Sequence, residues 1–158
     1  MLVLNDWNSR MNRQLRCRMK FKEHGVFEIE IEDTLLRVDA TGPFNDEVLK
    51  RYKWALESCI LQLEGSQWSQ VITLHRTSLF TPEAEKILTD TLIKRKSRGL
   101  QAGYLILEDV DFKSLVKEQL SRCYIKAGVE HQFFDSTSTA VKWITHPLNA
   151  VSMTHSAK

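Results

Sequence analysis

Residues 71–92 place the tightest constraint on what this chain can fold into. An apolar stretch typical of a strand, VITL, is followed by the polar residues HRTS and then by a helix start at Thr81 and Pro82. Threonine suits the N-cap position and proline the first helical position, so the segment predicts one strand, loop and helix unit. In open α/β folds, ligands and partners bind beyond the carboxyl ends of such strands.

The remaining periodic segments extend this unit into a whole domain. Residues 26–32 alternate apolar and acidic side chains and should pair with residues 35–40 as a hairpin. Residues 102–107, AGYLIL, are apolar on both faces and predict an interior parallel strand. Further strands are predicted at residues 70–75 and 129–134, and helices from Asn45, Thr81, Asp111 and Asp135 or Ser136. The sequence therefore predicts a single α/β domain of order ββαβαβαβα, with helices packed on a mixed five-stranded sheet led by an N-terminal β-hairpin.

Two helix patterns also predict which side chains are buried. The helix after Asp111 should turn an apolar stripe inward, made of Phe112, Leu115, Val116, Leu120 and Cys123. The helix after Thr81 ends in a basic cluster of Lys94, Arg95, Lys96 and Arg98. This cluster is interpreted as a solvated helix end whose charges compensate the helix dipole.

Charge divides the chain into a basic arm and a nearly neutral domain. Residues 1–25 hold six Lys and Arg residues against two acids, and the rest holds sixteen against eighteen. The predicted organisation is a basic N-terminal arm over residues 1–22, a folded domain over 23–146 and a flexible C-terminal tail over 147–158. The slightly acidic domain gives no electrostatic reason to expect DNA binding.

The basic arm leaves several interpretations open. Apolar residues from Leu4 to Met19 recur at near-helical spacing between arginines. The arm is either a surface for an acidic partner, an RNA or an anionic membrane, or a frayed segment or helix laid on the domain. Exchange of the arm between two copies would give a homodimer. Alternatively, Met19 is the natural start and the preceding residues are upstream translation.

Cysteines, histidines and hydropathy exclude several classes of protein. The three cysteines form no metal-ligand pattern, and their odd number argues against a disulfide framework, so a reducing cytoplasm is predicted. No apolar run approaches the roughly 20 residues of a transmembrane span. The five histidines are too scattered for a metal site, and no glycine pattern predicts a phosphate cradle. No cofactor and no metal are therefore expected.

The loop after residues 71–74 holds the candidate site. Its predicted binding residues are His75, Arg76, Thr77, Ser78 and Thr81. His75 beside Ser78 and Thr81 suggests acyl transfer, yet no nucleophile-elbow motif or orienting acid accompanies them. Catalysis is therefore the third choice, and we expect His75 to hydrogen-bond its own loop.

Four features stand out over residues 23–146: the hairpin, the Gly-Pro-Phe-Asn and Thr-Pro-Glu-Ala-Glu helix starts and the segment 134–143. In these features the chain resembles the SpoIIAA-like group, which shares the fold of STAS domains, named for sulphate transporters and anti-sigma factor antagonists. The resemblance implies a small cytoplasmic bacterial domain that docks onto a partner, or binds a small ligand, near the N-terminus of the second main helix. Anti-sigma factor antagonists carry Asp-Ser-Ser/Thr-Gly there, whereas residues 81–84 read Thr-Pro-Glu-Ala, so their phosphorylation switch is not expected.

Two functional hypotheses follow from the loop and the resemblance. The first is a non-catalytic regulatory or adaptor module that binds another protein through residues 75–83. The second is a receptor for a small anionic or apolar ligand, with Arg76, Thr77, Ser78 and the helix amides as donors. An apolar cavity beside the loop would favour the ligand, and an exposed apolar patch would favour the protein partner.

Overall fold

The structure, a computed structural model, describes residues 19–21 and 27–145. After three successive strands, helices and strands alternate along this part of the chain. In order they are β1 (Met19–Phe21), β2 (Phe27–Glu32), β3 (Leu35–Thr41), α1 (Asp46–Leu63), β4 (Trp68–Arg76), α2 (Pro82–Ser97), β5 (Leu100–Val110), α3 (Lys113–Ala127), β6 (Glu130–Phe134) and α4 (Thr137–Thr145). The predicted five strands and the order ββαβαβαβα are confirmed from β2 to α4. The short β1, from within the predicted arm, adds to the β2 edge.

The order of strands in the sheet decides where the helices lie. The strands follow one another from β1 to β6 as they do in the chain. β2 and β3 form the predicted antiparallel hairpin, and β3 to β6 are parallel. Each parallel connection steps one strand in the same direction, so right-handed crossovers place α1, α2 and α3 on one face. The buried side chains of these helices accordingly join a single core with the inward residues of the sheet.

The opposite face of the sheet has much less cover. There α4 packs its Trp143 against Tyr104 and Phe134, with ring centroids 5.4 and 5.8 Å apart. This helix contacts β5 and β6. The outward sides of β2 and β3 lie beyond it, and their exposed acidic residues are Glu28, Glu30, Glu32 and Asp39. Among residues 19–21 and 27–145, the sheet therefore has one packed face and one face that is open over the hairpin.

Two of the residues that the sequence predicted as helix N-caps occupy that position in the structure. The Asn45 side chain accepts a hydrogen bond from the Val48 amide at 2.9 Å, and the Thr81 hydroxyl accepts one from the Ala84 amide at 3.2 Å. Strand β5, which contains the AGYLIL segment, lies between two parallel neighbours as predicted. Local capping chemistry was thus sufficient to place the starts of α1 and α2.

The start of α3 differs from the prediction. Phe112, and not Asp111, occupies the N-cap position, in a left-handed conformation with φ 54° and no side-chain cap bond. Phe112 is 67% exposed and Leu115 44% exposed, so their predicted burial is wrong. Phe112 precedes the first helical residue and therefore does not follow the helical stripe. The buried stripe begins one turn later, at Val116.

Arg95 also departs from the prediction, because only 1% of it is exposed. It follows Leu88 and Leu92 at helical spacing and so lies on the buried side of α2. Its Nη1 donates to the Gln70 Oε1 at 2.9 Å, and its guanidinium carbon lies 5.3 Å from the centroid of the Tyr52 ring. Arg95 is therefore part of the core and not of a solvated basic cluster.

Candidate functional site

The predicted site lies at the carboxyl edge of the parallel strands, where β4 ends and the β4–α2 loop, residues 77–81, begins. Arg76 is the last residue of β4 and has a left-handed backbone with φ 54°. Its carbonyl accepts hydrogen bonds from the amides of Ser78, at 3.0 Å, and Asp111, at 2.9 Å. The turn after β4 is thereby joined directly to the end of β5.

His75 points away from this loop. Its Nε2 lies 2.8 Å from the Asp39 Oδ1 on the neighbouring strand β3. The side chain therefore pairs with an adjacent strand. The prediction that His75 hydrogen-bonds its own loop is wrong. The Ser78 hydroxyl bonds the main-chain carbonyl of His75, at 2.6 Å, and not its imidazole. The structure does not join the imidazole to a hydroxyl nucleophile, as acyl transfer would require.

Ser78 is fully buried beneath the loop. Its hydroxyl donates to the His75 carbonyl and accepts a hydrogen bond from the Gly42 amide at 3.3 Å. Gly42 permits this approach, since a Cβ at that position would lie 2.5 Å from the Thr77 carbonyl oxygen. Ser78 therefore braces the loop against the segment after β3, and its hydroxyl is not presented to a ligand.

The end of the loop is held by main-chain and side-chain bonds. Phe44 and Phe80 form an isolated parallel bridge, in which the Thr81 amide donates to the Phe44 carbonyl at 3.0 Å. The Gln119 side chain accepts from the Phe80 amide at 3.0 Å and donates to the Phe80 carbonyl at 2.8 Å. Because Ala84 donates to Thr81, the amides of Phe80, Thr81 and Ala84 are all engaged within the protein. Acidic residues in the first turn of α2, Glu83 and Glu85, further disfavour an anion there.

Four residues form an exposed surface at this edge, which we call the carboxyl-edge patch: Arg76, Thr77, Phe112 and Leu115. The Thr77 hydroxyl bonds the Asp111 Oδ2 at 3.2 Å, beside Phe112. The Leu115 amide donates to the Phe112 carbonyl at 3.0 Å, so the two apolar side chains begin the same helix. Arg76 and Phe112 share the same unusual backbone conformation, with φ 54°. Such conformations in non-glycine residues cluster at functional sites.

The exposed aromatic residue was missed in the sequence because periodicity alone assigned it to the core. One signal was available, since Val116, Leu120 and Cys123 already complete an inward stripe without it. Among the predicted site residues, Arg76 and Thr77 belong to the patch, Thr81 caps α2, Ser78 lies beneath the loop and His75 faces the open side of the sheet. The five residues are thus close in sequence but divided among four surroundings.

His75 lines a groove of about 790 Å³ on the open face of the sheet. One side of the groove, on β2, β3 and the turn between them, carries the carboxylates Glu28, Glu30, Glu32, Asp33 and Asp39. The other side carries the apolar residues Val71, Ile106, Val141 and Ile144, together with His75 and the threonines Thr73, Thr137 and Thr145. We call this feature the acidic groove.

Neither a metal cluster nor a membrane-spanning helix is found in the described part of the chain. Within residues 19–21 and 27–145, no three His, Cys, Asp or Glu side chains are grouped to hold a metal ion. The helices of these residues are too short or too polar to cross a bilayer. Comparison with known proteins gives no match, whether to a family model, to a curated protein or to a solved structure. The resemblance to STAS-like domains therefore stays a prediction.

Proposed function

We propose that this protein is a non-catalytic interaction module that binds another protein through the carboxyl-edge patch, near the N-terminus of α2. The observation that carries the proposal is Phe112, a large aromatic side chain that is 67% exposed at a sheet edge. Aromatic residues and arginine are the types most enriched at the energetic centres of protein interfaces. Phe112 and Arg76 are linked through hydrogen-bonded backbone, because the amide of Asp111, which precedes Phe112, donates to the Arg76 carbonyl.

The energy available from this patch is sufficient for an interface anchor. Complete burial of a phenylalanine side chain contributes about 1.5–3 kcal/mol by removing apolar surface from water. Little backbone ordering is needed, because the Arg76 carbonyl already accepts hydrogen bonds from Ser78 and Asp111. Low reorganisation leaves more of the contact energy for affinity.

A protein partner accounts for the patch better than a small ligand or a substrate does. Three amides at the end of the loop and the start of α2, those of Thr81, Phe80 and Ala84, bond Phe44, Gln119 and Thr81 and are not available to an anion. The Ser78 hydroxyl is buried, and His75 pairs with Asp39. The sequence left two hypotheses open, a protein partner and a small ligand. An exposed apolar surface with few free hydrogen-bond donors matches the protein partner.

The proposed setting is a reducing cytoplasm, with a regulatory role of the kind that the STAS-like resemblance implies. Cys59 and Cys123 support this setting, since neither is in a disulfide and both are buried in the core. Residues 81–84 carry no acceptor serine, so regulation would come from docking and not from phosphorylation at that helix start.

The test compares capture of partners by the wild type and by the variants Phe112→Ala and Arg76→Ala. Equal amounts of each immobilised protein are incubated with extract from the source cell, and bound proteins are quantified by mass spectrometry. We expect at least one specifically enriched protein to be lost with both variants. Truncation of an interface anchor typically costs at least 2 kcal/mol, or roughly a thirtyfold loss of affinity.

Ile125→Ala is the matched control. Ile125 is 70% exposed and lies on α3, as Leu115 does, but near the opposite end of the helix. This variant removes a similar apolar area and should retain the partner. Unchanged capture by Phe112→Ala, with unchanged melting of all three variants, would refute the proposal.

A further inference from the structure

The acidic groove is lined by more negative than positive charges. Five carboxylates line it against one arginine, Arg37, and the histidine His75. Arg37 pairs with Glu32 at 3.1 Å, and His75 pairs with Asp39. In the register of the sheet, Glu28 lies between a residue of like charge, Asp39 on β3, and a residue of opposite charge, Lys20 on β1.

The groove combines this charge with an apolar wall. Val141 and Ile144 of α4 face it, as do Val71 and Ile106 of the sheet. Val141 is 39% exposed. A segment that fits the groove must therefore present basic residues toward β2 and β3 and apolar residues toward α4.

Residues 1–18 of the same chain have this composition. They contain Arg10, Arg13, Arg16 and Arg18 against one acidic residue, Asp6. Their larger apolar residues include Leu4, Trp7, Met11 and Leu15, at a spacing that predicts one apolar side and one basic side. We propose that residues 1–18 bind in the acidic groove of their own chain, covering the open face of the sheet.

The point at which this segment joins the fold favours binding within one chain. Met19 opens β1 and pairs with Ile29, between Glu28 and Glu30 on the neighbouring strand. The segment therefore reaches the sheet at the acidic side of the groove. A short tether of this kind gives an effective concentration in the millimolar range, so weak contacts suffice.

The segment is also long enough to cross the groove. As a helix, residues 1–18 would extend about 27 Å, at about 1.5 Å per residue. From β2 to β5 the sheet spans three strand spacings, which is about 14 Å. The arginines can therefore lie over β2 and β3 while the apolar residues reach α4.

The proposal is tested in the full chain by paramagnetic relaxation. A nitroxide is attached to residue 9 in a Cys17→Ser/Ser9→Cys variant, since Cys59 and Cys123 are buried and unreactive by comparison. Amide signals of Thr73 and Ile144, on the groove, should be broadened, and those of Leu61 on the opposite helical layer should not. Raising the salt from about 0.01 M, with a Debye length of about 30 Å, to about 1 M, with about 3 Å, should remove most of the broadening.

Charge reversal at the groove gives the decisive comparison. Glu28→Lys/Glu30→Lys should abolish the broadening at Ile144, whereas Glu130→Lys, an exposed glutamate on β6 outside the groove lining, should leave it unchanged. If the groove variant does not fold, Arg10→Glu/Arg13→Glu changes the same charge pairing from the segment side. Broadening that persists in either folded variant, or that never occurs, would overturn the proposal.

A second copy as the source of the segment is distinguished by isotope mixing. Spin-labelled protein at natural isotope abundance is mixed with ¹⁵N-labelled protein that carries no spin label. Binding within one chain predicts no broadening in the mixture beyond that of free nitroxide. Broadening at Thr73 and Ile144 that grows with protein concentration would instead show exchange between copies and would overturn binding within one chain.

Discussion

The Thr81 hydroxyl is the clearest case in which one residue determines local structure. It accepts the Ala84 amide at 3.2 Å and so satisfies one donor of the first turn of α2. Thr81→Ala should lower the free energy of unfolding by about 1 kcal/mol, measured by urea denaturation. Thr89→Ala, on the same helix, is the control and should have a smaller effect, because the Thr89 hydroxyl bonds the Glu85 carbonyl within an intact turn and caps no helix end. Equal losses from the two variants would contradict the capping role.

Arg95 and Gln70 form a polar pair within the core. Among the described residues no carboxylate lies within ion-pair distance of Arg95, and its Nε and Nη2 have no hydrogen-bond partner. Gln70→Leu removes the acceptor of Nη1 and should lower the free energy of unfolding by about 1–3 kcal/mol. Adding Arg95→Met to this variant should restore part of the loss, because the uncompensated charge is then also removed. Urea unfolding of the single and double variants measures the difference, and strictly additive losses would contradict the coupling.

Two buried tyrosines predict a loss of stability at alkaline pH. Burial raises the pKa of both Tyr52 and Tyr124 above the ordinary tyrosine value of 10.0. The folded state therefore keeps both phenols protonated, while the unfolded chain ionises above about pH 10. Their contribution is fully present below that pH and falls as the pH rises further. Urea midpoints should drop between about pH 10 and 11 in the wild type and less steeply in Tyr124→Phe. If the urea midpoints of the wild type and of Tyr124→Phe fall in parallel with pH, the loss of stability does not come from Tyr124.

At the scale of elements, the start of α3 carries backbone strain together with an exposed side chain. Phe112 occupies the left-handed region, which costs a bulky residue roughly 1–2 kcal/mol and which asparagine tolerates better. Phe112→Asn should therefore raise the free energy of unfolding by about 0.5–1 kcal/mol and also weaken the proposed partner binding. If Phe112→Asn stabilises the fold and weakens binding, the backbone strain at Phe112 is retained for function.

The control for this prediction is Ile125→Asn, an exposed site within the same helix. Asparagine there has an ordinary helical backbone and a lower helix propensity than isoleucine, so the free energy of unfolding should fall slightly. Thermal melting and urea midpoints give both values. If Phe112→Asn is as destabilising as Ile125→Asn, the left-handed conformation is not a source of strain.

At the scale of the whole molecule, the arm and the domain should differ in their contribution to folding. A chain that begins at Met19 keeps β1 and the full core of residues 27–145. We expect it to unfold cooperatively and to lose about 1 kcal/mol, because the proposed contacts of residues 1–18 are exposed ion pairs and surface contacts with side chains such as Val141, outside the main core. Urea denaturation of both chains at low salt is the measurement. A loss of several kcal/mol would place residues 1–18 in the hydrophobic core.

The sequence by itself determined the elements of this protein and the chemistry of their ends. Strict alternation placed β2, continuous apolar character placed β5, and Asn45 and Thr81 fixed two helix starts through bonds that span three residues. These signals depend on contacts within one turn or one strand, and local contacts are written directly in the spacing of residues. The loop with Arg76 and Thr77 was located for the same reason.

Only the tertiary structure decided which side chains of that loop are presented and which are buried. Ser78 is buried because Gly42, far along the chain, admits its hydroxyl, and His75 turns to Asp39 because β3 lies beside β4. Phe112 is exposed because it stands one residue before its helix, and Arg95 is buried because it lies on the inner side of α2. The open acidic face likewise follows from the order of strands, since consecutive crossovers in one direction place three helices on the other face. Strand order and long-range contacts are properties of packing, and no local pattern in the chain encodes them.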